Sequence, residues 1–166
     1  MTTFAFKVTV PANEIISSAL GTGVGNKFQS PYDIGKAVTL AGENNHVLAA
    51  AGADIDGFVH SVEPITVNGG FSFGGVLVEG RIEVVVGANQ GATPMAAGDY
   101  VVADAQLALG TVGDHQSWTP PGTSPSSPTG PTAQVKTGTP THKFWRCIRV
   151  VSGTGAAGSV VLLERV

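Results

Sequence analysis

The stretch KAVTLAGENNHVLAAA, residues 36–51, decides the fold class. Two short runs rich in apolar residues, KAVTLA (36–41) and HVLAAA (46–51), flank Gly42-Glu43-Asn44-Asn45. Those four residue types turn a chain back on itself, so the stretch predicts a β-hairpin. The same grammar continues on both sides. GFVHSV (57–62) reads as a strand, and ITV (65–67) faces FSF (71–73) across Asn68-Gly69-Gly70, where glycine takes positive φ at no steric cost. GVLV (75–78) and RIEVVV (81–86) are linked by Glu79-Gly80, which predicts a tight turn with Gly80 left-handed. DYVVAD (99–104) with QLALGTV (106–112), and KFWRCIRVV (143–151) with SVVLLERV (159–166), predict two further pairs.

Nearer the N-terminus the pattern changes. Phe4, Phe6, Val8 and Val10 alternate with Ala5, Lys7 and Thr9, the period of a strand with one apolar face, and Pro11 ends it. Residues 12–34 are poorer in pattern; a single turn around Asn13 to Leu20 and a flexible glycine loop, GTGVGN, are expected there. The sum is an all-β chain of about ten short strands, a small β-barrel or sandwich. Residues 1–12 form an N-terminal strand or arm and residues 13–166 the barrel or sandwich domain. Gly35-Lys-Ala-Val-Thr-Leu and Gly98-Asp-Tyr-Val-Val-Ala both open a hairpin with glycine, a polar residue and apolar residues, a loose sign of an internal repeat.

Composition agrees. Of 166 residues, 56 are Val, Ile, Thr, Phe, Tyr or Trp, against 30 of the straight-chain helix formers, which excludes a helical bundle. Only 13% are charged and the net charge is −3, with no Lys/Arg stripe able to neutralise phosphates, so nucleic acid is not an expected partner. The apolar run Val47 to Ala53 stops at Asp54, far short of a membrane span, and the first residues lack a signal-peptide core. The single cysteine, Cys147, forms no internal disulfide. A soluble chain made in a cytoplasm is expected.

The segment Gly113 to Thr141 stands apart. It holds six of the ten prolines, and each proline removes a donor from a sheet ladder, so a long Pro/Ser/Thr-rich loop insertion over 113–141 is expected. His115, Trp118, Pro120 and Pro121 lie on it, and Trp118 is the residue expected to anchor it to a partner.

A search for chemistry returns little. Gly153-x-Gly155-x-x-Gly158 matches a dinucleotide fingerprint by letter, but the SVVLLERV that follows reads as a strand, not the required helix. Gly21-Thr-Gly-Val-Gly-Asn-Lys27 lacks the Lys-Ser/Thr pair of a phosphate loop. Asp54-x-Asp56-Gly57 begins like a calcium loop, but its twelfth position is Ile65. His46, His60, His115 and His142 have no metal-ligand spacing, Cys147 has no local base, and no Gly-x-Ser-x-Gly elbow occurs. No catalytic residue, cofactor or metal ligand is therefore assigned.

Asp33-Ile-Gly-Lys-Ala-Val-Thr-Leu, VLAAAGADIDGFV (47–59), GRIEVVVGA (80–88) and Ala97-Gly98-Asp99-Tyr-Val-Val carry a resemblance. The span from Asp33 to Val112 resembles the capsid decoration, or cement, proteins of tailed bacteriophages. The resemblance covers about half of the chain and rests on strand pattern and glycine placement. It implies a compact β-barrel or sandwich on the outer capsid surface of the virion, bound to the major capsid protein and to copies of itself as a homotrimer or dimer. It implies no enzymatic activity. In that family the N-terminal arm and long loops meet the shell and neighbouring copies, which would place Phe4, Phe6, Val8 and Val10 in an interface; the 113–141 insertion departs from the compact pattern. Chemistry of the same kind, 27 Ser and Thr against 21 charged residues, suits a surface covered by partners. Two readings from other classes remain beside it: a virion surface module recognising carbohydrate or a host receptor, and a β-barrel hydrolase assembled from dispersed His, Asp and Ser.

Overall fold

The computed structural model describes residues 13–21, 27–63, 72–87, 93–106, 109–110 and 143–166, together with the backbone of 117–119. All of its regular structure is β. Ten strands follow one another: β1 (Glu14–Leu20), β2 (Ala37–Gly42), β3 (Asn45–Leu48), β4 (Gly57–Val62), β5 (Ser72–Glu79), β6 (Arg81–Val86), β7 (Tyr100–Ala103), β8 (Ser117–Thr119), β9 (Trp145–Ser152) and β10 (Val160–Arg165). The all-β class is as expected. The strands close into two five-stranded barrels, the first in the order β1-β3-β2-β4-β5 and the second in the order β6-β8-β7-β9-β10.

These orders are the same topology written twice. In each barrel the first strand runs parallel to the third, and every other pairing is antiparallel. Register repeats as well. Val38 opposite Gly57 becomes Val101 opposite Trp145, and Leu20 beside His46 becomes Val86 beside Trp118. His60 is the extra residue of a bulge in β4, and Ile148 is the extra residue at the same place in β9. Turn bonds repeat too: Gly35 N–H donates to Val59 O at 2.6 Å and Gly98 N–H to Cys147 O at 2.8 Å. Both glycines have positive φ, 89° and 98°, which is why glycine opens both hairpins. The loose repeat visible at Gly35 and Gly98 is thus the trace of a complete internal duplication.

Several local readings are corrected. Residues 14–20 are a full strand, not a turn; Ser18 fills an inward position where an apolar residue would have signalled a strand. Ser72 and Phe73 of FSF belong with GVLV to one strand, β5, which passes straight through Gly74 and Gly75; Phe71 and ITV (65–67) lie outside the described residues. Gly80, with φ 119°, is not a hairpin turn: β5 belongs to the first barrel and β6 to the second, so it marks the crossing between them. β7 pairs with β8 and β9; of 106–112, Leu109 and Gly110 form a turn, and residues 107–108 and 111–112 lie outside the described residues. Ser117–Thr119 is a strand within the expected insertion, just ahead of its first proline, Pro120. The other residues of 113–141 lie outside the described residues.

The first barrel is filled by Leu20, Phe28, Val38, Val59, Val62 and Val76. The second is filled by residues including Val84, Val86, Val101, Cys147, Val161 and Leu163, and its cluster continues into Ala37, Phe58 and Leu77 of the first. These last three are outward-facing neighbours on β2, β4 and β5, and they are buried against the second barrel. The Phe58 and Trp145 rings meet in a T-shaped arrangement at 4.7 Å and 87°, with both side chains fully buried. Polar bonds bracket this seam. Gln106 takes the Ala37 N–H at 2.8 Å and donates to Ala37 O and Ala49 O, while Arg165 donates to Ile55 O and lies over the Trp145 ring. Removing the Phe58 ring leaves a cavity between the barrels. Phe58→Ala is expected to cost about 3–5 kcal/mol, a fall of roughly 6–20 °C in the thermal midpoint, measurable by circular dichroism; an unchanged midpoint would mean that the seam contributes little.

Candidate functional site

The residues singled out from the sequence do not converge on a described site. Phe4, Phe6, Val8, Val10, His115, Pro120 and Pro121 lie outside the described residues, as does His142. Trp118 is in β8, where its backbone sits between β6 and β7. Asp56, in the Asp54-x-Asp56-Gly57 turn, accepts from Thr39 Oγ1 at 3.0 Å and the Leu40 N–H at 2.7 Å, and it lies 4.0 Å from Arg165. Among the described residues no group of three or more His, Cys, Asp or Glu side chains is placed to hold a metal.

The duplication offers an internal comparison that the sequence did not reveal. On the outer face formed by β1, β4 and β5, the positions beyond the seam hold Ile15, Ser17, Ser61 and Phe73, all exposed. The register sets Ser17 and Ser61 on either side of Gly75. No side chain projects from Gly75; Ile15 Cγ2 and Ser61 Oγ lie where its Cβ would be. The face therefore has the Ser17 and Ser61 hydroxyls at its centre, the exposed His60 beside them with Nδ1 3.8 Å from that Cβ position, and Ile15 and Phe73 towards its ends. The equivalent residues of the second barrel are Arg81, Glu83, Arg149 and Val160. There three of the four are charged and exposed; Arg81 meets Glu164 at 3.0 Å, and Glu164 also lies 3.9 Å from Arg146. One fold thus carries a solvated, charged face on one copy and a face without Lys, Arg, Asp or Glu at the matching positions on the other. Sequence reading missed this because β1 was not recognised as a strand, so Ile15 and Ser17 could not be placed on a common surface.

Several buried polar groups have structural partners, while Asn45 Oδ1, Trp145 Nε1 and Arg165 Nε have no hydrogen-bond partner among the described residues. Lys36 and Asp33 form a fully buried ion pair at 2.7 Å, and the Asp33 carboxylate also accepts the N–H groups of Gln29 and Gly110, tying two loops to the first barrel. His46 is buried beside Ser18, Nδ1 to Oγ 2.7 Å, at positions occupied by Trp118 and Val84 in the second barrel. Burial holds its imidazole below the ordinary histidine value, against the opposing pull of the Asp56 charge. Burial likewise pushes the Cys147 thiol up, with Asp99 adding to the shift and a backbone hydrogen bond at Arg149 opposing it. A thiol so placed is a poor nucleophile.

Comparison of the chain with protein-family models, with curated proteins and with solved structures gives no match. No helix among the described residues is long and apolar enough to cross a membrane.

Two measurements test these assignments. Because folded His46 binds a proton less readily than unfolded His46, its contribution to stability is complete above the ordinary value of 6.5 and declines as pH falls below it. Thermal midpoints should therefore drop between pH 7.5 and 5.5, and His46→Gln should flatten that slope; an equal slope in the variant would assign the effect to other groups. Cys147 should resist a thiol reagent at pH 8 in the folded protein and react fully once the protein is denatured. Rapid labelling without denaturant would contradict its burial.

Proposed function

We propose that the protein is a structural virion component, a capsid decoration or cement protein. It binds the outer surface of a tailed-phage head through the major capsid protein and stabilises the shell by bridging neighbouring capsomers. It acts without catalysis, cofactor or metal, as a closed homo-oligomer, a trimer before a dimer because shell axes favour matching symmetry.

The observation carrying this reading is the outer face of the first barrel, without Lys, Arg, Asp or Glu at the matching positions, set against the charged face that the same fold presents in the second. Charge is depleted at the cores of protein interfaces, and a patch kept free of it beside a solvated equivalent is suited to burial. The resemblance between Asp33 and Val112 supplies the identity of the partner. A protein that binds the assembled shell and not its separated subunits stabilises the shell by mass action. Several modest contacts on one oligomer then combine through effective concentration.

Purified protein mixed with undecorated heads should co-sediment with them and raise the temperature at which they release DNA. Phe73→Glu, which puts a charge on that face, should weaken that binding tenfold or more, whereas Arg149→Glu on the equivalent face should change it little. Heads that neither bind the protein nor gain stability would sink the proposal. The second reading, a surface module for carbohydrate, draws on Tyr100 and Phe144, an edge-to-face pair at 4.3 Å with Tyr100 exposed. Specific hits on a glycan array would favour it.

A further inference from the structure

Among the described residues, closure leaves part of each barrel's first strand with a neighbour on one side only. β1 meets β3 at Ala19 and Leu20, and β6 meets β8 at Val85 and Val86. Before those residues the strands are paired only with β5 and β10. Ala19 and Gly21 donate their N–H groups towards β3, to Asn44 O at 3.0 Å and His46 O at 2.8 Å. Successive residues of a strand direct their main-chain groups to opposite sides, so those of Ile15 and Ser17 lie on the same open side as Ala19's. They have no partner strand there among the described residues.

The same count puts Arg81 and Glu83 on the corresponding edge of β6. That edge is protected. Asn13 Oδ1 accepts the Arg81 N–H at 3.2 Å, and both side chains are exposed and charged, two devices that stop an edge from pairing. The β1 edge has neither: no charge occurs from Ile15 to Leu20, and Ile15 is 43% exposed.

The geometry points to β1 as a pairing edge for a second copy of this chain, two β1 strands lying antiparallel about a twofold axis at Ile16. In that register Ile15 lies opposite the partner's Ser17, and Ser17 opposite the partner's Ile15. Both residues direct their main-chain groups to the edge, so each such pair exchanges two N–H···O bonds. Glu14 faces the partner's Ser18, and no like charges meet. An isologous contact needs a surface complementary to itself. An antiparallel edge centred on one residue is such a surface, with donors and acceptors matched by symmetry, and the face that continues from it through Ser17, Ser61 and Phe73 adds no Lys, Arg, Asp or Glu to the contact. Five residues a side bury well under the roughly 1,600 Å² of a standard interface, so the contact is weak in dilute solution and gains where copies are held side by side. The inference does not require the capsid reading, and its test uses no heads.

Light scattering on the full chain, from about 10 µM to about 1 mM, spans the range of weak self-association. The mass should rise towards twice its dilute value. Ser17→Lys, at an exposed position where the folded state is easily verified by circular dichroism, should abolish the rise. Glu83→Lys on the protected edge, and removal of residues 1–12, should both leave it intact. A constant mass, a rise that survives Ser17→Lys, or a rise lost equally in Glu83→Lys overturns the inference. A rise that disappears when residues 1–12 are removed also overturns it, because the strand predicted at Phe4 to Val10 would then be the occupant of the edge.

Discussion

The T-shaped contact of Phe58 with Trp145 is the one on which the rest of the molecule depends. A five-stranded barrel of this size has little interior: the first is filled by six buried side chains, none larger than phenylalanine. Burial of Phe58, Leu77 and Ala37 against the second barrel extends that small core into the larger cluster around Trp145. Because these three residues face outward from the first barrel, the seam decides which part of its surface is covered. The remainder, continuing along β1, β4 and β5 away from the seam, is the face that holds Ile15, Ser17, Ser61 and Phe73. Stability and the candidate interface are thus two ends of one strip of sheet.

Duplication separates what the fold requires from what each barrel is used for. Register, the β4 and β9 bulges and the glycine at each hairpin entrance are common to both copies, so these belong to the fold. Side chains at matching positions have diverged: Ser18 and His46 stand where Val84 and Trp118 stand, and Ile15 and Ser17 where Arg81 and Glu83 stand. Gly57 in β4 is the equivalent of Trp145 in β9. A Cβ at Gly57 would lie 2.5 Å from Val76 Cγ1 and 2.7 Å from Leu77 O, so the first barrel has no space for the indole that fills the second. The barrels are built alike and packed differently, which lets one receive the other's outer face without propagating the contact into a chain of barrels.

Much of the fold was legible because hairpin grammar is local. GFVHSV and RIEVVV coincide with β4 and β6, and the hairpins at 36–51 and 143–166 pair as their turn residues indicate. The failures have common physical causes. Alternation is obscured in EIISSAL by adjacent isoleucines and by a serine whose buried hydroxyl bonds to His46 and to the main-chain carbonyl of Asn44, so a polar letter occupies a core position. Gly74 and Gly75 look like punctuation but lie within β5, where Gly74 is needed because a Cβ would lie 2.0 Å from Ser61 O. Gly80 is a turn residue used between sheets rather than within one, a distinction that no local pattern encodes. The candidate surface was the least legible feature, because it exists only when β1 and its register with β5 are known.

Closure of the two barrels also explains why an open edge exists in a fold that is usually free of them. A barrel removes its edges only where the closing strands overlap fully. Here the closing pair is parallel and staggered, two residues long in each copy among the described residues, so there the N-terminal part of the first strand extends beyond its partner. The stagger is a property of the topology and appears in both halves. Protection is not: Asn13, Arg81 and Glu83 protect the second edge, and among the described residues no equivalents protect the first. An unprotected edge promotes uncontrolled association, and charged residues at Ile15 and Ser17 would remove that hazard while leaving the barrel core untouched. The fold has made that change in one of its own copies. Its absence from the other, beside a face already without Lys, Arg, Asp or Glu at the matching positions, fits an edge and a face retained together as one contact surface.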